Sequence, residues 1–83
     1  MFHRVLEVKA LSDYRLRVLF AGGETKIYDV RPLFGKWRPF LALKENPDLF
    51  TDVSVDVGGH GVIWNDDLDL SCDELFANGQ PTR

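Results

Sequence analysis

The chain has 83 residues, of which 45% are hydrophobic and 28% charged, with a net charge of −3; this is enough for one domain with a modest core and too little for two. No apolar run approaches the roughly 20 residues of a membrane helix. Met1-Phe2-His3-Arg4 leads into alternating residues rather than a signal-peptide core, so the expected location is cytoplasmic.

Charge is spread unevenly. Through Lys44 there are nine Lys/Arg against four Asp/Glu (+5), and from Glu45 onward one against nine (−8). Such a polar chain either docks onto a charged partner or neutralises itself when its halves fold together. The acidic total argues against nucleic acid as a partner. Cys72 is the lone cysteine, which excludes an internal disulfide. Its neighbours Asp69, Asp73 and Glu74 oppose a reactive thiolate, so it reads as structural.

From His3 to Leu11 the residues alternate, with Leu6, Val8 and Ala10 on one side and Glu7 and Lys9 on the other, as in a half-buried strand. Ser12-Asp13 is a turn pair. Tyr14, Leu16, Val18 and Phe20 then form an apolar strand face opposite Arg15 and Arg17; Leu19 breaks the polar face and points to a neighbour there. Gly22-Gly23 reads as a two-residue hairpin loop. That loop pairs Val18 with Ile27, Arg17 with Tyr28 and Leu19 with Lys26. It gathers Arg15, Arg17 and Lys26 on a basic outer face, with Tyr28 beside Arg17 for a cation–π contact; the plainer reading is a solvated face. Asp29 falls opposite Leu16 on the inner face, a local anchor whose carboxylate needs donors such as the N–H groups near Leu33 and Phe34.

Arg31-Pro32-Leu33-Phe34-Gly35 predicts a helical turn, Phe40 to Lys44 a short helix, and Asn46-Pro47 the cap and start of another. Trp37, Phe40, Leu43, Leu49 and Phe50 are expected to cover one face of the sheet. Val53, Val55 and Val57 predict a fourth strand, Gly58 to Gly61 a turn, and Val62-Ile63-Trp64 a fifth strand. Asn65 to Leu70 is an acidic corner, and Ser71-Cys72-Asp73-Glu74 fits a capping box that opens a helix ending at Asn78-Gly79. Residues 1–79 therefore form a single α+β domain. It has an antiparallel sheet of about five strands (a three-strand meander plus a hairpin), short helices between, a C-terminal helix, and a flexible tail over 80–83.

No catalytic constellation is present, and no metal ligand set either. Asp66, Asp67 and Asp69 could gather a hard cation. Counted from Asn65, however, Leu70 and Phe76 stand where a calcium loop needs glycine and glutamate, and a turn bonded to its own backbone is the simpler reading. His3, His60 and Cys72 are far apart in sequence and make a poor zinc set.

A run of features carries a family resemblance: the hairpin ending in Phe20 and glycines, Tyr28-Asp29-Val30-Arg31-Pro32-Leu33, Phe40-Leu41-Ala42-Leu43, Asp48-Leu49-Phe50, Val53 to Asp56, and Gly58 to Ser71 with Glu74-Leu75. From Val5 to Gly79 the chain resembles the small bacterial family known as domain of unknown function 2442, in the branch with Trp64-Asn65-Asp66 at the corner. In that branch tyrosine often stands at the position of His60. The resemblance implies a compact α+β domain with an antiparallel sheet, and no activity. Some members carry an added helix-turn-helix domain, and members often accompany a second short protein, as in toxin–antitoxin pairs.

The resulting expectation is a non-catalytic protein–protein interaction module that works with a small protein partner, with no cofactor. Homo-oligomerisation is compatible with it, and nucleic acid or membrane binding is not expected. Its expected surface is Arg15, Arg17, Lys26, Tyr28, His60, Trp64, Asp66, Asp67 and Asp69. The alternative is a small-molecule or metal-ion binding domain, with His60, Trp64 and the acidic corner around a shallow pocket.

Overall fold

The computed structural model describes residues 3–82. β1 (Val5–Leu11), β2 (Arg15–Phe20) and β3 (Thr25–Asp29) form an antiparallel meander. Leu16, Val18 and Phe20 are fully buried on one face of β2, as their alternation with Arg15, Arg17 and Leu19 requires. In β1 the register shifts between Val5 and Glu7. The irregularity turns Val5 inward and leaves Leu6 52% exposed, so the inward face is Val5, Val8 and Ala10 rather than one that begins with Leu6.

The loop between the paired residues Phe20 and Glu24 is three residues long (Ala21, Gly22 and Gly23), not two. The Phe20 N–H donates to the Glu24 carbonyl at 2.8 Å and the Gly23 N–H to the Phe20 carbonyl at 2.9 Å, with Gly23 at φ +93°. A glycine in the left-handed region is what this loop class needs at its last position. The extra loop residue slides the pairing by one: Leu19 faces Thr25, Val18 faces Lys26, Arg17 faces Ile27, Leu16 faces Tyr28 and Arg15 faces Asp29. Because side chains alternate, every residue of β3 lies on the face opposite to the one expected. Tyr28 and Lys26 point inward; Ile27 and Asp29 point outward.

The tail expected over 80–83 starts as a strand. β7 (Gln80–Pro81) pairs with Ile27 and Lys26, giving the sheet order β1-β2-β3-β7, and the Thr82 N–H reaches the Thr25 carbonyl at 3.1 Å. Arg83 lies outside the described residues.

A second antiparallel sheet holds β4 (Ser54–Val55), β5 (Gly61–Asn65) and β6 (Leu68–Ser71). β4 is shorter than the valine alternation suggested. The Asp56 carboxylate accepts the Val57 N–H at 2.7 Å and starts a 3₁₀ turn over Val57–Gly59, which leaves Val57 85% exposed. β6 is a strand where a corner was expected. Leu68 and Leu70 are buried and alternate with exposed Asp69 and Ser71.

Between the sheets run α1 (Arg31–Phe34), α2 (Leu41–Glu45) and α3 (Pro47–Thr51), and α4 (Cys72–Asn78) follows β6. The N-caps at Asn46 and Ser71 form as the sequence dictates; the other half of the expected capping box does not, because the Glu74 carboxylate is taken by Tyr28 and Asn78. Asn46 Oδ1 accepts the Leu49 N–H at 3.4 Å, and Ser71 Oγ accepts the Glu74 N–H at 3.1 Å. Phe40, Leu43 and Phe50 bury themselves against both sheets, and Trp64 donates its indole N–H to the Phe50 carbonyl at 3.0 Å. Leu49 is half-buried, whereas Trp37 is 42% exposed and does not join the core.

Gly61 sits where β5 crosses close to β6: a Cβ there would collide with the Leu70 carbonyl. Gly61→Ala is therefore expected to cost about 3 kcal/mol and to lower Tm by roughly 12–24 °C. Gly35→Ala, with open space around it, should leave Tm unchanged or slightly raised. Thermal melts of the two variants beside wild type check this.

Candidate functional site: the uncovered face of the four-stranded sheet

The inner face of the first sheet is closed by helices and by the second sheet, through one cluster that includes Leu16, Val18, Phe20, Tyr28, Phe50, Val62, Trp64 and Leu75. The outer face carries three cross-strand rows. Leu11, Arg15 and Asp29 make the first; Lys9, Arg17 and Ile27 the second; Glu7, Leu19 and Thr25 the third. None of these nine side chains is buried, and Leu11, Leu19 and Ile27 take no part in the core. Aliphatic groups stand among three cations on a surface that no element of the described chain covers. A shallow hollow of about 220 Å³ lies within it, lined by Glu7, Val8, Lys9, Arg17, Leu19 and Thr25.

Of the two acids on this face, Asp29 is already engaged. Arg31 grips it with a guanidinium N–H at 2.8 Å, and the Arg31 backbone N–H donates to the same carboxylate at 3.0 Å. Those bonds hold the Asp29 carboxyl below its usual range. Asp29 is thus a local anchor as expected, though on the outer face and bonded to Arg31 rather than to the Leu33–Phe34 turn. The face keeps a positive balance from Lys9, Arg15 and Arg17 against Glu7.

The residues expected to form one surface do not. Arg15 and Arg17 lie on the outer face. Lys26 instead turns inward, donates to the Phe76 carbonyl in the last turn of α4 at 2.5 Å, and stands 3.8 Å from the Phe76 ring centroid. Tyr28 is buried; its hydroxyl donates to Glu74 at 2.8 Å, and Asn78 donates to the same oxygen at 2.9 Å. The Glu74 carboxylate thus spans to the sheet. Burial first, and then Glu74, push the Tyr28 hydroxyl well above its ordinary value.

His60, Trp64 and the acidic corner do not surround one pocket. His60 precedes β5 at one end, while Asp66 and Asp67 form the exposed turn at the other, about 13 Å of strand away. Trp64 lies in the core between them. Asn65 Oδ1 accepts the Asp67 N–H at 2.9 Å, so the corner bonds its own backbone. Asp69 faces Ile63 across β5–β6 and is exposed. Among the described residues, no group of three His, Cys, Asp or Glu is placed to hold a metal ion, and no helix is long and apolar enough to cross a membrane. Cys72 is buried, and burial raises its thiol above the ordinary value, with Asp73 adding to the shift.

Sequence reasoning missed Lys9, Leu11 and Ile27 as members of the face. Leu19, the apolar residue that interrupts the polar side of β2, was the signal that could have found it.

A small α+β domain with two antiparallel sheets is the class these features define. The chain belongs to the family described as Protein of unknown function (DUF2442), whose pattern matches residues 5–81. It is similar to a crystal structure from Nitrosomonas europaea ATCC 19718 named "Putative DNA Binding Protein". The identity is 31% and the TM-score 0.76, over 93% of this chain and 48% of that one. This chain thus spans about half the length of that relative. No curated protein matches it.

Tyr28→Phe should cost about 1.5–2 kcal/mol, the worth of a hydrogen bond to a charged group. A hydroxyl whose folded pKa is raised contributes stability that is present below its unfolded value, 10.0, and is lost as pH rises beyond it. Wild type should therefore lose Tm between about pH 9.5 and 11.5 more steeply than Tyr28→Phe, as melts across that range would read.

Proposed function

We propose that this protein is a non-catalytic interaction domain whose outer sheet face docks on an acidic patch of a small protein partner. The observation that carries the reading is the set of aliphatic side chains, Leu11, Leu19 and Ile27, left outside the core between Lys9, Arg15 and Arg17. Apolar groups supply the area worth burying, and the flanking cations steer an acidic partner and set its orientation. The partner expected from the resemblance is a short protein, which suits a three-strand face of this size.

Nucleic acid is the weaker reading. The relative's name speaks of DNA, but the face of this chain offers three cations, the chain is net acidic, and duplex binding draws most of its affinity from many phosphate contacts.

The test compares tagged wild type with Leu19→Asp and Arg17→Glu in pull-downs at low and moderate salt. A short protein recovered in near-equal amount with wild type, weakened by salt, lost with both face variants and retained with Asp67→Lys is the expected outcome. Equal recovery by the face variants, or recovery of duplex DNA alone, contradicts the reading.

A further inference from the structure

A second hollow, of about 320 Å³, lies away from the sheet face and is lined by His3, Arg4, Ala21, Gly58 and His60. Three separate segments meet there: the lead into β1, the β2–β3 loop, and the link between β4 and β5. The Ala21 N–H donates to the Arg4 carbonyl at 2.8 Å, and the His60 carbonyl accepts the Cys72 N–H at 2.8 Å, so the backbone on both sides is pinned.

The three basic side chains are held as well. The His3 ring stacks on Phe76 with centroids 3.6 Å apart and planes 13° from parallel. The stem of Arg4 lies so close to Gly59 that a Cβ there would strike it. The His60 ring lies over Gly58, 3.1 Å from where a Cβ would stand. The two histidines of the chain, 57 positions apart, thus line one hollow with an arginine, and among the described residues no carboxylate lines it. Asp73 borders an adjoining smaller hollow together with His3, His60, Ser71 and Cys72. Among the described residues the Arg4 guanidinium makes no ion pair and no hydrogen bond. The contrast with another hollow, of about 650 Å³ and lined in part by Asp29, Arg31 and Glu74, is informative. There Arg31 is committed to Asp29, and Glu74 to Tyr28 and Asn78.

From this placement we infer that the His3–Arg4–His60 hollow binds a small tetrahedral oxyanion, the phosphate group of a phosphorylated small molecule. The lead into β1 supplies a guanidinium fork and one imidazole to this lining and the β4–β5 link a second imidazole; N–H donors drawn from two segments suit a tetrahedral anion, which accepts from more directions than a planar carboxylate. The cavity is at the small end of ligand sites, enough for a phosphate and a short body. The site is independent of the sheet face: His3, Arg4 and His60 belong to none of its rows.

The test is a ¹H–¹⁵N NMR titration of the whole chain with inorganic phosphate near pH 6, at constant ionic strength, with acetate and chloride as parallel titrants. The expected result is saturable shifts at His3, Arg4, Ala21, Gly58 and His60, with phosphate bound at least tenfold more tightly than acetate. Arg4→Gln and His60→Gln, both at exposed positions, should each weaken binding about fivefold or more while keeping the spectrum of a folded chain; Lys36→Gln should bind as wild type. Shifts that do not saturate, that chloride reproduces, that centre on Arg15, Arg31 and Lys36, or that persist in both hollow variants overturn the assignment.

Discussion

The length of the β2–β3 loop decides more of this molecule than any other local feature. Three residues, closed by Gly23 at positive φ, set the register in which Leu16 meets Tyr28 and Arg17 meets Ile27. Period-two alternation then distributes β3 between core and surface. Tyr28 enters the core and its hydroxyl needs a partner, which Glu74 supplies from α4. Lys26, inward at the strand end, satisfies the Phe76 carbonyl near the end of the same helix. Both polar ties between α4 and the first sheet thus follow from one extra loop residue. So does the outward turn of Ile27, which completes the aliphatic set on the uncovered face.

The second sheet is tied in differently. Its contribution is mostly apolar: Val62, Trp64, Leu68 and Leu70 face the same cluster as Leu16 and Val18. A directional bond, from the Trp64 indole to the Phe50 carbonyl, fixes α3 against β5. Bringing the sheets together also carries the β4–β5 link to the N-terminal segment. That is why His3 and His60, remote in sequence, line the same hollow.

Much of the architecture was legible in the chain. The α+β class, the meander, the β4–β5 hairpin, the Asn46 and Ser71 caps and the apolar side of β2 follow from alternation and turn chemistry, which are local. What escaped was set by geometry that local patterns underdetermine. Gly22-Gly23 signals a hairpin but leaves open whether Ala21 joins the loop, and that single ambiguity misplaced Lys26, Tyr28 and Asp29. Leu68 and Leu70 carried a strand signal that the acidic residues around them masked. Val57 continued an alternation that the Asp56 side chain interrupts by capping a turn. The outer face was visible only through Leu19, since a half-exposed aliphatic on a polar side has meaning only when its neighbours are known. The hollow at His3, Arg4 and His60 had no sequence signal, because it depends wholly on tertiary approach.

The β2–β3 register is read most directly by cross-strand Hα–Hα contacts in NMR. Phe20 and Glu24 exchange a backbone hydrogen bond, so Leu19–Thr25 and Arg17–Ile27 fall at the closely spaced, non-hydrogen-bonded pairs. Strong Hα–Hα cross-peaks between Arg17 and Ile27 and between Leu19 and Thr25 are the predicted result. Cross-peaks pairing Arg17 with Tyr28 or Val18 with Ile27 would mean a two-residue loop and a Tyr28 on the surface. The uncovered face would then be built from different residues, and the account would fail.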